Sequence, residues 1–130
     1  FNELRREGLD AQRYSLLHPT KKPRMAFVTQ QLQGHDGPVV AATDYMKTFA
    51  DQIRPFIPEG RRYTVLGTDG FGRSDTRSKL REFFEVDRRY VAIAALHSLM
   101  QDGALDAKAV EAAIKKYGVN TERSNPAMVL

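Results

Sequence analysis

A strand pattern that runs directly into a cluster of glycines constrains this chain more than any other feature of its sequence. Tyr63, Val65 and their apolar neighbours predict a short strand. The three glycines within residues 67–72 then allow backbone turns that a side chain would hinder. A helix over residues 77–84 is expected to follow at once, with Ser74 or Asp75 as its cap. Such a strand, turn and helix indicate the edge of an α/β sheet where ligands or partner surfaces usually lie.

A second strand pattern precedes the first. Residues 38–43 form a run of small apolar side chains, typical of a strand covered on both faces in a parallel sheet. Thr43 or Asp44 is expected to cap an intervening helix that Pro55 ends. The core-facing stripe predicted for that helix consists of Tyr45, Phe49, Ile53 and Phe56. Strand, helix and strand together predict a βαβ unit with parallel strands and a right-handed crossover.

The flanking segments are predicted to be mainly helical. Residues 1–17 are expected to form two short helices separated at Gly8, and residues 25–32 another. Toward the C-terminus, Asp87 is expected to cap a helix over residues 88–101, and Asp106 a last helix that Gly118 ends. Residues 120–130 show no periodicity and are expected to form an extended tail of a single domain that covers residues 1–130.

Composition narrows the classes of function. The 130 residues are 42% hydrophobic, which is typical of a globular domain. The absence of cysteine excludes disulfides, thiolate metal sites and thiol nucleophiles, and favours a reducing cytoplasm. No secretion signal or membrane-length apolar run is present in the sequence, so no membrane partner is expected. The first residue is Phe1 instead of Met, which we interpret as processing, trimming or a piece of a longer chain.

The net charge of +4 and the pI of about 9.5 raise the question of a nucleic-acid partner. Four basic pairs lie in separate regions, mostly beside carboxylates: Lys21-Lys22, Arg61-Arg62, Arg88-Arg89 and Lys115-Lys116. None is interleaved with aromatic residues that could stack on bases. We therefore expect a solvated surface and no nucleic-acid partner.

Both predicted strands end on the same dipeptide, Thr43-Asp44 and Thr68-Asp69. If the strands are parallel, Asp44 and Asp69 emerge at the same end of the sheet. One interpretation is a pair that coordinates a metal or phosphate. The other is that Asp44 caps the following helix and Asp69 holds the glycine turn through its own backbone, as aspartates commonly do.

No motif in the sequence assembles catalytic chemistry. The glycines have the spacing G-x-x-G-x-G without a following Gly-Lys-Ser/Thr, which fits neither a dinucleotide nor a triphosphate loop. No serine lies in a G-x-S-x-G turn. His18, His35 and His97 lie in unrelated segments without a second ligand at helical spacing. Two strands also leave both sheet edges unpaired, so we expect the sheet to be completed by chain before Phe1 or by a second subunit.

Several segments are similar to one enzyme family. They are residues 17–19 (LHP), 42–47 (ATDYMK), 50–54 (ADQIR), 65–75 (VLGTDGFGRSD), 84–87 (FEVD) and 125–126 (NP). In these segments the sequence resembles the C-terminal end of the homodimeric bacterial pyruvate dehydrogenase decarboxylase component, of the transketolase-like superfamily. The resemblance implies an α/β fold, a three-layer α/β/α sandwich on a mixed five-stranded sheet, incomplete here on its N-terminal side.

The resemblance also implies what the whole enzyme does. The family decarboxylates pyruvate on thiamine diphosphate with magnesium and acetylates lipoyl groups on the dihydrolipoyl acetyltransferase core. Its Gly-Asp-Gly diphosphate motif and its activating glutamate lie upstream, and Thr68-Asp69-Gly70 is not that motif. We therefore expect no catalytic, cofactor or metal residue in this segment, and no activity from it alone.

The expected role is a structural domain that supports the dimer. Its partners are then the rest of its own chain and a second subunit of a homodimer. The candidate interface residues are Asp44, Asp69, Gly70, Phe71, Gly72, Arg73 and Asp75. The alternative is a free-standing α/β module that binds a phosphorylated or acidic ligand at the glycine turn of residues 67–75, through Arg73, Arg77 and the helix start near Ser74.

Overall fold

The computed structural model describes residues 1–70 and 72–129. Its helices are α1 (Asn2–Leu17), α2 (Phe27–Leu32), α3 (Lys47–Asp51), α4 (Arg77–Phe83), α5 (Arg88–Gln101) and α6 (Ala107–Tyr117). Its strands are β1 (Val39–Ala42) and β2 (Tyr63–Leu66), and single 3-10 turns lie at Arg54–Phe56 and Pro126–Met128. None of the helices in the described ranges is long and apolar enough to cross a membrane.

The two strands pair in parallel, as the βαβ pattern predicts. Val39 lies opposite Tyr63 and Ala42 opposite Leu66. In the described ranges the sheet has these two strands only. On the outer side of β2, the carbonyl of Tyr63 accepts a hydrogen bond from Arg54 Nη1 at 2.9 Å. That guanidinium therefore occupies a position where a further strand would pair.

Helices cover both faces of the sheet. On one face, Tyr63 and Val65 join a buried cluster with side chains of α2, α3 and the 3-10 turn at Arg54–Phe56. Because side chains alternate along a strand, Thr64 points to the other face, where its hydroxyl lies 3.4 Å from that of Ser98 in α5. Helix α6 packs on α5. The architecture is thus the predicted three-layer α/β/α arrangement.

Helix α1 is continuous, so the prediction of two short helices separated at Gly8 is wrong. Gly8 lies within the helix and is buried. A Cβ built on it would lie 2.6–2.7 Å from ring carbons of Phe56. This glycine therefore allows α1 to pack closely on the 3-10 turn. In the sequence it was interpreted as a helix break, whereas in the structure its role is close packing.

The segment after β1 also differs from its prediction. Helix α3 has only five residues, and the residue at its cap position is Met46, which makes no side-chain capping hydrogen bond. The prediction that Thr43 or Asp44 caps it is therefore wrong. The chain then bends into the 3-10 turn that contains Pro55. This bend splits the expected apolar stripe, so that Ile53 and Phe56 are buried while Tyr45 and Phe49 are exposed.

The cap of α4 is displaced by one or two residues from its prediction. Thr76 Oγ1 accepts the N–H of Lys79 at 3.3 Å, whereas Ser74 and Asp75 lie before the cap. Asp75 instead accepts the N–H of Thr76 at 2.8 Å. The helix itself forms close to where the pattern predicts it.

The last two helices match their predictions more closely. Asp87 caps α5 by accepting the N–H groups of Arg89 and Tyr90 at 3.0 and 3.2 Å. Asp106 occupies the cap position of α6 without a side-chain hydrogen bond, and Gly118 ends α6 with φ +69°. After α6, the single turn at Pro126–Met128 is the regular element of the described tail.

Candidate interface at the carboxyl ends of the strands

The loops that follow β1 and β2 are bonded to each other. The Thr68 N–H donates to the Tyr45 carbonyl at 2.9 Å, and the Thr68 hydroxyl donates to the Asp44 carbonyl at 2.9 Å. The Thr43 N–H donates to the Leu66 carbonyl at 3.0 Å. These bonds extend the pairing of the strands into residues 43–47 and 67–70, so the two loops form one surface.

Gly67 permits this close approach. It is buried, and a Cβ built on it would lie 2.7 Å from the Lys47 nitrogen and 2.8 Å from the Tyr45 carbonyl oxygen. Asp69 Oδ2 accepts the Lys47 N–H at 3.4 Å. The carboxylate of Asp69 therefore supports the first turn of α3.

Asp44 is held by an ion pair. Its two carboxylate oxygens accept from Arg81 Nε at 3.2 Å and from Arg81 Nη2 at 3.0 Å, an arrangement that fixes both side chains in one plane. The hydrogen bond from Arg81 holds the pKa of Asp44 below its ordinary value of 3.8. The same bond raises the pKa of Arg81. Asp44 thus ties the loop after β1 to α4.

The two carboxylates have partners within the chain. Asp44 is occupied by Arg81 and Asp69 by a backbone N–H. Across residues 1–70 and 72–129, no three Asp, Glu or His side chains are grouped so that they could hold a metal ion. The described residues therefore do not fit a magnesium diphosphate group, and the interpretation of Asp44 and Asp69 as a coordinating pair has no support.

The glycines of the turn have different surroundings. Gly70 has φ +122°, and a Cβ on it would lie 2.6 Å from the Pro126 carbonyl oxygen. The tail therefore packs across the turn at this point. Gly72 is exposed, with open space where its Cβ would lie. Phe71, the remaining candidate between them, lies outside the described residues.

Arg73 and Asp75 project from the same turn and are exposed. The guanidinium of Arg73 lies 4.3 Å from the centre of the Phe83 ring, a cation–π contact with α4. Two open clefts lie near the Asp44–Arg81 pair, of about 940 and 500 Å³. The smaller cleft brings together most of the predicted residues, namely Asp44, Gly70, Gly72, Arg73 and Asp75.

Sequence reasoning missed Arg123 in the tail. Its Nη2 donates to the carbonyls of Phe83 and Glu82 at 2.7 and 3.2 Å and lies 3.1 Å from Glu85 Oε1. Glu85 has φ +61°, the one positive φ outside glycine among the described residues. Arg123 therefore binds the end of α4 where the chain reverses. A lone arginine in a tail without periodicity gives no sequence signal for this role.

Most of this fold matches a known class of protein domain. The profile of the transketolase-like TK C-terminal domain matches residues 2–87, from α1 to the cap of α5. The match covers more than half of the chain, and the chain belongs to this family.

Individual relatives extend the match beyond the profile. The pyruvate dehydrogenase E1 component of Cupriavidus necator is 57% identical over 129 residues, which are 99% of this chain and 14% of that protein. Those of Pseudomonas aeruginosa and Escherichia coli K12 are 55% and 48% identical over 126 residues, 97% of this chain and 14% of each protein. The matched segment is the C-terminal part of these relatives.

The chain therefore spans 14% of the length of these curated relatives. The resemblance found in the sequence is confirmed. A match along nearly the whole chain to one part of a much longer enzyme gives no support to a free-standing module that binds an acidic ligand.

Proposed function

We propose that this chain is the C-terminal domain of a pyruvate dehydrogenase decarboxylase component and that it supports the structure and dimer of that enzyme. The observation that carries the proposal is the 57% identity over 99% of the chain with a relative that bears this name. The full protein would decarboxylate pyruvate on thiamine diphosphate and magnesium in the cytoplasm. It would then acetylate lipoyl groups of the dihydrolipoyl acetyltransferase core.

The catalytic groups are proposed to lie in the rest of the protein. The carboxylates at the strand ends support this proposal, because Asp44 is paired with Arg81 and Asp69 accepts the Lys47 N–H. Residues 1–130 are proposed to act as one domain, with residues 120–130 as a tail packed on it. The contact of Gly70 with Pro126 supports this assignment.

The candidate interface residues divide into two roles. Asp44, Asp69 and Gly70 make contacts within the chain and are proposed to shape the surface. Gly72, Arg73 and Asp75 are exposed and are proposed to touch the neighbouring domain or subunit, together with Phe71. Connecting segments on a rigid scaffold are a common place for such contacts.

The test uses the full-length protein from which the chain comes. Pyruvate-dependent reduction of an artificial electron acceptor is measured with thiamine diphosphate and magnesium. The full chain should be active and dimeric, and a protein truncated before Phe1 should lose its dimer in sedimentation. The 130 residues alone should give no turnover. Turnover by this piece, or a native polypeptide near 14.7 kDa in the source cell, would contradict the proposal.

The interface assignment is tested by a double variant in the full-length protein, Arg73→Ala with Asp75→Ala. Truncation of side chains at a desolvated interface commonly costs about 1–2 kcal/mol or more, so the dimer dissociation constant should rise about tenfold or more. The matched control is Lys108→Ala with Glu111→Ala, which removes exposed charges from α6. Equal dissociation constants for the two double variants would refute the assignment.

A further inference from the structure

Half of the apolar stripe predicted for the βαβ crossover has no cover in the structure. Ile53 and Phe56 are 6% and 4% exposed, whereas Tyr45 and Phe49 are 70% and 43% exposed. The sequence pattern predicts that all four side chains face a core. In the structure Tyr45 precedes α3 and Phe49 lies within it, and the described chain leaves both rings largely uncovered.

The uncovered side chains line a groove. Phe1, Tyr45 and Phe49, with Thr43 at the end of β1, border a space of about 440 Å³, which we call the aromatic groove. The rings of Tyr45 and Phe49 meet edge to face with their centres 5.9 Å apart. Phe1 is 46% exposed. Large apolar side chains gathered in this way mark an interaction site, because each gains about 1.5–3 kcal/mol on full burial.

The groove continues the candidate interface. Tyr45 accepts the Thr68 N–H through its carbonyl, and Asp69 accepts the Lys47 N–H. The backbone that carries Tyr45 is therefore fixed by the loop that leads into the glycine turn. An occupant of the groove and a neighbour of Arg73 would approach the same end of the sheet.

The position of Phe1 indicates which occupant fits. This chain matches the C-terminal part of relatives of which it spans 14%, so in those relatives the polypeptide continues on the N-terminal side of the counterpart of Phe1. The side chain of Phe1 itself lines the groove. An attached segment is present at an effective concentration in the millimolar range, while a second copy must lose translational and rotational freedom to bind.

We propose that the aromatic groove is filled by apolar side chains of the same polypeptide, from the part that precedes Phe1 in the full-length protein. The proposal rests on the proposed function and deepens it, because it assigns this apolar surface to contact within one chain. The contact between subunits is then assigned to the glycine turn, with Arg73 and Asp75.

The test is site-specific photocrosslinking in the full-length protein. The photoreactive amino acid p-benzoylphenylalanine is incorporated at Tyr45, the protein is irradiated, and crosslinked peptides are identified by mass spectrometry. The expected product keeps the mass of one chain and joins residue 45 to peptides upstream of Phe1. The control incorporates the same group at Lys116, a charged and exposed position on α6, and should give no such product.

Two outcomes would overturn the proposal. A product of twice the chain mass would assign the groove to a second copy, and the dimer-supporting function would stand while this inference fails. Crosslinks confined to residues 1–130 would mean that nothing upstream covers the groove. A native chain of about 14.7 kDa in the source cell would instead contradict the proposed function, and the inference would fail with it.

A second measurement does not depend on the crosslinker. In the full-length protein, Phe49→Ser should lower the melting temperature, because a buried ring is lost from the groove. Lys116→Ser is an exposed change on α6 and should leave the melting temperature nearly unchanged. Equal melting temperatures for the two variants would also overturn the proposal.

Discussion

Single glycines set the closest approaches in this protein. A Cβ on Gly67 would collide with the backbone of Tyr45 and Lys47, and one on Gly70 with the backbone of Pro126. Gly72 has open space around it. The sequence does not distinguish the three glycines, because their spacing does not predict which of them contacts the backbone of another segment. Only the structure separates the two that are required by contact from the one that is not.

Gly67→Ala is therefore expected to be costly. Two of the nearest atoms, the Lys47 nitrogen at 2.7 Å and the Tyr45 carbonyl oxygen at 2.8 Å, belong to the backbone and cannot move aside without displacing the loop after β1. Overpacking of this kind costs about 1–3 kcal/mol in the free energy of unfolding. Gly72→Ala is the matched control and should change it by less than about 0.5 kcal/mol. Urea unfolding of both variants measures the difference, and equal midpoints would contradict the contact.

The Asp44–Arg81 pair predicts a pH dependence. The pKa of Asp44 is lowered in the folded protein. The ionised Asp44 therefore contributes to the free energy of unfolding above its ordinary pKa of 3.8, and this contribution is lost as the pH falls through the lower folded pKa. The side chains are 56% and 43% exposed, so solvent screens the pair and its contribution to stability is expected to be small.

The check compares native protein with Asp44→Asn by urea unfolding at several pH values. The difference between their free energies of unfolding should be constant near neutral pH and should shrink below a pH of about 4. Glu3→Gln is the control, because Glu3 pairs with Arg6 on the open surface of α1 with both side chains more than 70% exposed. A difference that is independent of pH would show that the pair contributes through packing alone.

Among the elements, α4 is held largely by polar and cation–π contacts. None of its residues is fully buried, and its contacts include the Asp44–Arg81 pair, the Arg73–Phe83 contact and the bonds of Arg123. The sequence predicted the existence of α4 from Leu80, Phe83 and Phe84 but misplaced its cap. A cap depends on which of several neighbouring Ser, Thr or Asp side chains the rest of the fold leaves free, and local pattern cannot decide that.

Removal of Arg123 should loosen α4. In Arg123→Ala the carbonyls of Glu82 and Phe83 lose a charged donor in a half-buried place, which costs about 1–3 kcal/mol. Hydrogen exchange should then increase at the amides of α4 more than at those of α6. Lys116→Ala, an exposed change on α6, is the control, and uniform exchange across both helices would contradict the assignment.

At the scale of the whole molecule, sequence pattern predicted the parallel pair and most of the helices, while the three-layer arrangement was implied by the family resemblance. It did so because strand and helix periodicities are local, and parallel pairing follows from a helical crossover. It failed at Gly8 and at the stripe from Tyr45 to Phe56, where the outcome depends on contacts between distant segments. The tail contacts of Arg123 and Pro126 also join segments that are far apart in the sequence, and no local pattern predicted them.

Deletion of residues 121–130 tests the tail as a unit. It removes the Arg123 bonds to α4 and the packing of Pro126 on Gly70 together. The melting temperature of the full-length protein should fall by more than in Arg123→Ala alone, because both contacts are lost. If the deletion and the single variant melt alike, Pro126 contributes nothing to stability.

The bonded loops after the two strands have a practical consequence for protein engineering. Residues 43–47 and 67–70 are tied by Thr68 and pressed together at Gly67, so an epitope tag inserted in either would separate the strands. The loop at the opposite end is different, since Gly34 has open space around it and the bonds to Arg61 are made by the flanking carbonyls of Leu32 and Gly37. A fluorescent label or peptide insert should therefore be accepted at residue 35 if the bonds of Arg61 on either side are kept.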